Sequence, residues 1–148
     1  MNAFGELINN KILWVAVLSW FIAQFLKVVI TLLQEHRFDL TKFWSSGGMP
    51  SSHSSFVMAL TGSVGKIYGF DSAYFAIAMV FSFIVMYDAA NVRLEAGRQA
   101  AAINQIIKLL ENPELNPEER LKEILGHTPL QVLAGGILGI VVSIVCFL

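Results

Sequence analysis

Gly47-Gly48-Met49-Pro50-Ser51-Ser52-His53-Ser54-Ser55 sets a histidine among serines and glycines at the mouth of an apolar segment. Polar groups carried into an apolar environment are costly unless they find partners. Pro50-Ser51-Ser52 has the chemistry of a helix start, where serine oxygens accept from free backbone N–H groups. Those N–H groups also favour an anion. The stretch therefore reads as the entry to a membrane helix and as one half of a phosphate site. The chain has only three histidines, His36, His53 and His127.

The rest of the 148 residues supports a membrane setting. The chain is 55% hydrophobic and 14% charged, against about a quarter charged in soluble domains. Mean hydropathy is +0.63. A net charge of −1 argues against nucleic acid as a partner, which would call for a basic stripe. The single cysteine, Cys146, lies in the last apolar run and has no internal partner for a disulfide. Four segments are apolar enough to span: 12–33, 54–68, 73–92 and 130–148. The second is short for a bilayer core, which takes roughly 17–25 residues per helix. The first lacks a basic start and is interrupted by Gln24 and Lys27, so it does not read as a cleaved signal peptide. The expected fold is all-α: one domain over 1–148, an integral membrane four-helix bundle with an additional amphipathic helical segment between the third and fourth spans.

That extra segment follows the third span. Ile103, Ile106, Ile107 and Leu110 recur at i, i+3, i+4 and i+7, an amphipathic face. Asn112-Pro113 ends it. Asn116-Pro117-Glu118-Glu119 then has the cap, first-turn proline and acids of a second short helix, with Gly126 as its stop. Thr128-Pro129 starts the last span. With four spans, the loop before Pro50 and the segment from Arg93 to Gly126 share one membrane face. That face carries Arg37, Lys42, Arg93, Arg98, Lys108, Arg120 and Lys122, and the other only Lys11 and Lys66. The positive-inside rule makes the basic face cytoplasmic and both termini extracytoplasmic, as in a bacterial inner or plasma membrane.

On this topology Lys27, His53, Asp88, Arg93 and His127 all fall at the cytoplasmic face, although nothing in the choice of spans required it. The set suits a phosphate monoester. Two helix N-termini, after Pro50 and after His127, present N–H groups. Ser51 and Ser52 add hydroxyls. Lys27, Arg93 and Arg98 supply positive charge. Two histidines can divide nucleophilic attack and proton transfer. Plainer roles exist for several of these: Lys27 reaching headgroups, Asp88 and Arg93 as an ion pair, and Gly135 and Gly139 as a G-x-x-x-G packing pair. The same glycine-rich faces allow a homo-oligomer.

Pro50-Ser51-Ser52-His53 resembles the central P-S-[GS]-H motif of the type 2 phosphatidic acid phosphatase superfamily, which includes vanadium haloperoxidases. His127-Thr128-Pro129-Leu130-Gln131-Val132-Leu133-Ala134-Gly135 resembles the superfamily's last motif. Together with Y-D-A-A-N-V-R at 87–93, the ordered set is similar to the short, divergent branch, and the resemblance runs from about Lys27 to Gly139. It implies His127 as the nucleophile that becomes a phosphohistidine, His53 as general acid, and Lys27 and Arg93 on the phosphate, with no metal and no cofactor. The implied partners are the bilayer and a lipid phosphate such as phosphatidylglycerol phosphate, phosphatidic acid or a polyprenyl phosphate.

The chain departs from that pattern in three places. The first motif's R-P pair is absent. The arginine six residues before the nucleophile is missing, Leu121 standing there. Gln131 stands where the superfamily has the acid that orients the nucleophilic histidine. A glutamine oxygen can hold an imidazole N–H but lends no negative charge to an imidazolium, so the orienting role falls to Gln131 or to Asp88. The substitution equally fits a protein that binds or translocates a lipid phosphate without turning it over. A metal enzyme built on Asp88 and Glu95 has no third acid nearby, and a purely structural subunit would have no need of the two histidines.

Overall fold

The computed structural model describes residues 2–35, Phe43, 48–109 and 126–148. Arg37, Lys42, Trp44, the stop at Asn112-Pro113, the helix expected from Asn116, and Arg120 and Lys122 lie outside the described residues, as do Gly47 and His36.

Every regular element among the described residues is helical. A short α1 (Ala3–Ile8) leads into α2 (Lys11–Glu35). Then come α3 (Ser52–Tyr68) and α4 (Ala73–Tyr87). A single π-helical turn, Asp88–Val92, joins α4 to α5 (Arg93–Leu109), and α6 (Pro129–Cys146) closes the fold. Three stretches are long and apolar enough to cross a membrane: Lys11–Leu33, Ala73–Ile107 and Pro129–Cys146. The third expected span continues through the π turn into α5 without a break. α3, with 17 residues, rises only about 26 Å, and its composition is that of an interior helix.

Local chemistry sets the ends. Ser51 caps α3 by accepting from the Ser54 N–H, and Ser72 caps α4 by accepting from Phe75. Between them Gly69 takes φ +89°, a left-handed conformation that favours glycine. At α6, Thr128 and Gln131 form a reciprocal capping box with Pro129 in the first turn.

α3 is the centre of the bundle, packed against α2, α4 and α6. The interior is built of small and hydroxylic residues: Ser19, Ser55, Thr61, Ser63, Ser82 and Ser143 are buried, beside Ala16, Ala23 and Ala59. The large side chains point outward, among them Phe21 and Phe25 on α2, Phe81, Phe83 and Ile84 on α4, and Leu133, Ile137 and Val145 on α6. In water such a surface would be an aggregation hazard; against lipid it costs nothing, and small residues at the contacts let helices approach closely. The buried hydroxyls are paired. Ser19 and Ser55 Oγ atoms stand 2.6 Å apart, and Thr61 Oγ1 and Ser82 Oγ 2.7 Å. Ser82 also donates to the Val57 carbonyl at 3.0 Å.

The α3–α6 contact is made through backbone. A Cβ added at Gly135 would fall on the Ser51 carbonyl, and one at Gly139 on the Ser55 carbonyl and 2.8 Å from the Ala59 nitrogen. The glycine pair is therefore buried within the chain against α3 and does not lie open to a second copy. α5 also differs from the pattern in the sequence. Gly97, Ala100 and Asn104 are covered, whereas Ile103 and Ile106 are about half exposed.

Gly139→Val forces α3 and α6 apart. It is expected to cost at least the roughly 1–3 kcal/mol of an overpacked core, read as a clear drop in melting temperature in detergent. An unchanged melting temperature would contradict the backbone-to-backbone contact.

Candidate active site

Four elements deliver polar groups to one end of the bundle. The first is the segment before α6. Gly126 has φ +89°, and a Cβ there would meet the Leu94 nitrogen at 2.5 Å and the Arg93 carbonyl carbon at 2.8 Å, so only glycine lets this segment lie against the start of α5. The next residue, His127, donates its backbone N–H to the Ala89 carbonyl at 3.0 Å. Ala89 belongs to the π turn, whose altered ladder leaves a carbonyl available to a partner; such turns often mark functional sites.

The His127 side chain is 2% exposed. Its Nδ1 lies 3.3 Å from Gln131 Oε1, which also accepts the Thr128 N–H at 3.1 Å. An amide oxygen can only accept, so Nδ1 carries the hydrogen and Nε2 presents its lone pair. That Nε2 is enclosed and has no hydrogen-bond partner among the described residues. Burial, then the Lys27 ammonium, push the imidazole pKa down to about 4, with His53 acting the same way and Gln131 and the Gly48 carbonyl opposing. The ring is neutral at physiological pH.

His53 stands in the first turn of α3, half-buried, its ring centroid 6.3 Å from that of His127. It is within electrostatic reach of Arg93, Lys27 and Asp88. Lys27, on the inward face of α2, is 2% exposed and donates from Nζ to Ser52 Oγ at 3.4 Å. Gly48 lies across the aliphatic stem of Lys27, where a Cβ would sit 3.8 Å from Cγ and Cδ. Ser51 donates its backbone N–H to the Gln131 carbonyl at 3.0 Å, tying the N-termini of α3 and α6 together. Its own Oγ accepts from the Ser54 hydroxyl at 3.0 Å and caps the helix, so Ser51 is engaged in local structure while Ser52 faces Lys27.

Arg93 and Asp88 pair at 2.8 Å on the rim, both close to half exposed. Five residues apart, they would point away from each other on an α-helix; the π turn, with its i to i+5 repeat, brings them onto one face. Asp88 is thus turned to Arg93, and the group at His127 Nδ1 is Gln131. Arg98 pairs with Glu95 on the exposed face of α5 and is not brought to the histidines. Among the described residues no three His, Cys, Asp or Glu side chains form a group able to hold a metal.

Two buried polar groups near this end carry no sequence motif. The Ala89 carbonyl is a backbone group, released by a π turn that no residue pattern announces. Gln24 interrupts the first apolar span; it is 4% exposed, and its Oε1 is enclosed without a partner among the described residues. A glutamine inside an apolar span is the sequence signal for it.

With this geometry in place, residues 8–142 match the model of the Divergent PAP2 family. The chain belongs to the Divergent PAP2 family. A curated relative, "Uncharacterized membrane protein YuiD" of Bacillus subtilis (strain 168), is 36% identical over 151 residues, covering 95% of this chain and 96% of that protein. No solved structure matches. In this member of the family, P-S-S-H at 50–53 opens α3, and the motif from His127 opens α6 directly opposite it.

The depressed pKa of His127 has a consequence for stability. Unfolding restores the ordinary value of 6.5, against about 4 when folded. The unfolded chain therefore binds the proton first as pH falls, and the stability contributed by the neutral ring is full above about 6.5 and lost progressively toward 4. Melting temperature in detergent is expected to fall across this window, and His127→Gln is expected to flatten the slope. An identical slope in the variant would show that other groups carry it.

Proposed function

We propose that this chain is an integral membrane lipid-phosphate phosphatase. It works without a metal, through a phosphohistidine on His127, with α3 serving as a fourth span and the site at the cytoplasmic face. One observation carries the reading: a buried imidazole is held by Gln131 through Nδ1, and its Nε2 has no partner among the described residues, beside a second histidine and a buried lysine.

The residues divide the chemistry as follows. The phosphate sits at the joined N-termini of α3 and α6, its charge met by Lys27, the Ser52 hydroxyl and backbone N–H groups, with Arg93 at the rim. The Nε2 lone pair attacks phosphorus and the P–O bond to the lipid alcohol breaks. His53 gives a proton to the departing oxygen. Water then attacks the phosphohistidine with His53 as base, releasing inorganic phosphate and restoring neutral His127. Donors fixed in advance around the transferring group supply much of the rate. Phosphatidylglycerol phosphate, phosphatidic acid and polyprenyl phosphates are the candidate substrates.

Gln131 favours a second reading, a protein that binds or translocates lipid phosphates without hydrolysis, because an amide does not stabilise the imidazolium. The two readings part on phosphate release by purified protein, with chelator present, from a panel of lipid phosphates. The phosphatase reading expects release that His127→Ala reduces by at least 10³-fold, in line with loss of a nucleophile. Binding of vanadate without any release selects the second reading.

Gln131→Glu keeps the capping box, since Glu serves at that position as Gln does, and adds a carboxylate at Nδ1. It is expected to raise the His127 pKa and to raise turnover, whereas Gln131→Leu lowers turnover. Equal rates in wild type and both variants would remove Gln131 from the orienting role.

A further inference from the structure

Two buried side-chain polar atoms have no hydrogen-bond partner among the described residues: His127 Nε2 and Gln24 Oε1. The first is accounted for by the proposed chemistry. The second is not. Gln24 is 4% exposed in an otherwise apolar helix, while the buried hydroxyls of the same interior are paired. An enclosed acceptor without a donor is destabilising, and a hydrophobic residue at the position would carry no such cost.

Its place on α2 says what would pair with it. Gln24 precedes Lys27 by three residues, and Ala23, Gln24, Lys27 and Val28 form one continuous buried patch. Lys27 acts electrostatically on both histidine rings. Gln24 therefore lies one turn beneath the cation of the site, about 4.5 Å further along the axis and away from the mouth where α3 and α6 begin. An ionised phosphate offers only acceptors and has Lys27, Ser52 and helix N–H groups for donors. A carbonyl oxygen below it pairs instead with a donor on the alcohol side of the ester, the side that runs deeper into the membrane.

We propose that Gln24 is a specificity-determining residue that accepts a hydrogen bond from a hydroxyl beside the phosphorylated carbon, so that the preferred substrate is a lipid phosphate with a hydroxylated headgroup. This rests on the site proposed above, as a binding site for lipid phosphates, and not on its turnover. It separates phosphatidylglycerol phosphate, which carries such a hydroxyl, from phosphatidic acid and polyprenyl phosphates, which do not. A buried acceptor left unpaired by the wrong ligand discriminates far more strongly than a missing methylene does.

The test compares dioleoyl phosphatidylglycerol phosphate with dioleoyl phosphatidic acid in detergent micelles. It reads both dissociation constants, by native mass spectrometry, and kcat/KM for phosphate release. Wild type is expected to favour the hydroxylated lipid by ten-fold or more in both, and Gln24→Met to bring both ratios to about one. Gln24→Glu, which keeps an acceptor at the same reach, is expected to retain the preference and covers the case in which Gln24→Met does not fold. A wild-type ratio near one, a ratio unmoved in Gln24→Met, or binding of neither lipid overturns the proposal. Hydroxyl-dependent binding with no phosphate release from either lipid upholds it and overturns the phosphatase reading alone.

Discussion

The close approach of α3 and α6 is the constraint on which the remaining geometry depends. With no side chain at Gly135 and Gly139, the α6 backbone rests on the carbonyls of Ser51 and Ser55. Because both helices begin at the same level, the Ser51 N–H reaches the Gln131 carbonyl, and the residues that open the helices, His53 and His127, face each other. Two helix N-termini then point into one space, a natural place for an anion. Were the two helices spaced by leucines, the histidines would remain in the sequence and the site would not exist.

A second constraint comes from the medium. Against lipid, apolar side chains gain nothing by turning inward, so the interior can be built from serine, threonine, alanine and glycine. Each hydroxyl buried there needs a partner, and those of Ser19, Ser55, Thr61 and Ser82 have one. This orderly interior is what gives meaning to the two atoms left unpaired among the described residues, Gln24 Oε1 and His127 Nε2. Both lie at the end of the bundle where Lys27 is buried.

Asp88, the alternative to Gln131 for the orienting role, is held at the rim by Arg93, and the group at His127 Nδ1 is a neutral amide. The π turn makes both arrangements at once: it sets Asp88 and Arg93 on one face and offers the Ala89 carbonyl to His127. Burial beside Lys27 keeps His127 neutral.

How much was legible in the sequence follows the range of the interactions involved. Hydropathy located the apolar segments, because apolar runs of that length have few stable alternatives. Capping chemistry located the starts of α3 and α6, because a cap is decided by residues within three positions of each other. The P-S-S-H stretch and the motif from His127 supported the resemblance to the phosphatase superfamily, and membership of the Divergent PAP2 family agrees with it. The tertiary structure decided what depends on distant backbone: that Gln131 and not Asp88 meets His127, that Ala89 and Gly126 hold it there, that α5 covers its small residues and exposes its isoleucines, and that Gln24 is buried beneath Lys27. Hydrogen bonds and close backbone approaches between helices depend on register and separation. A linear pattern of residue types carries neither until the helices are packed.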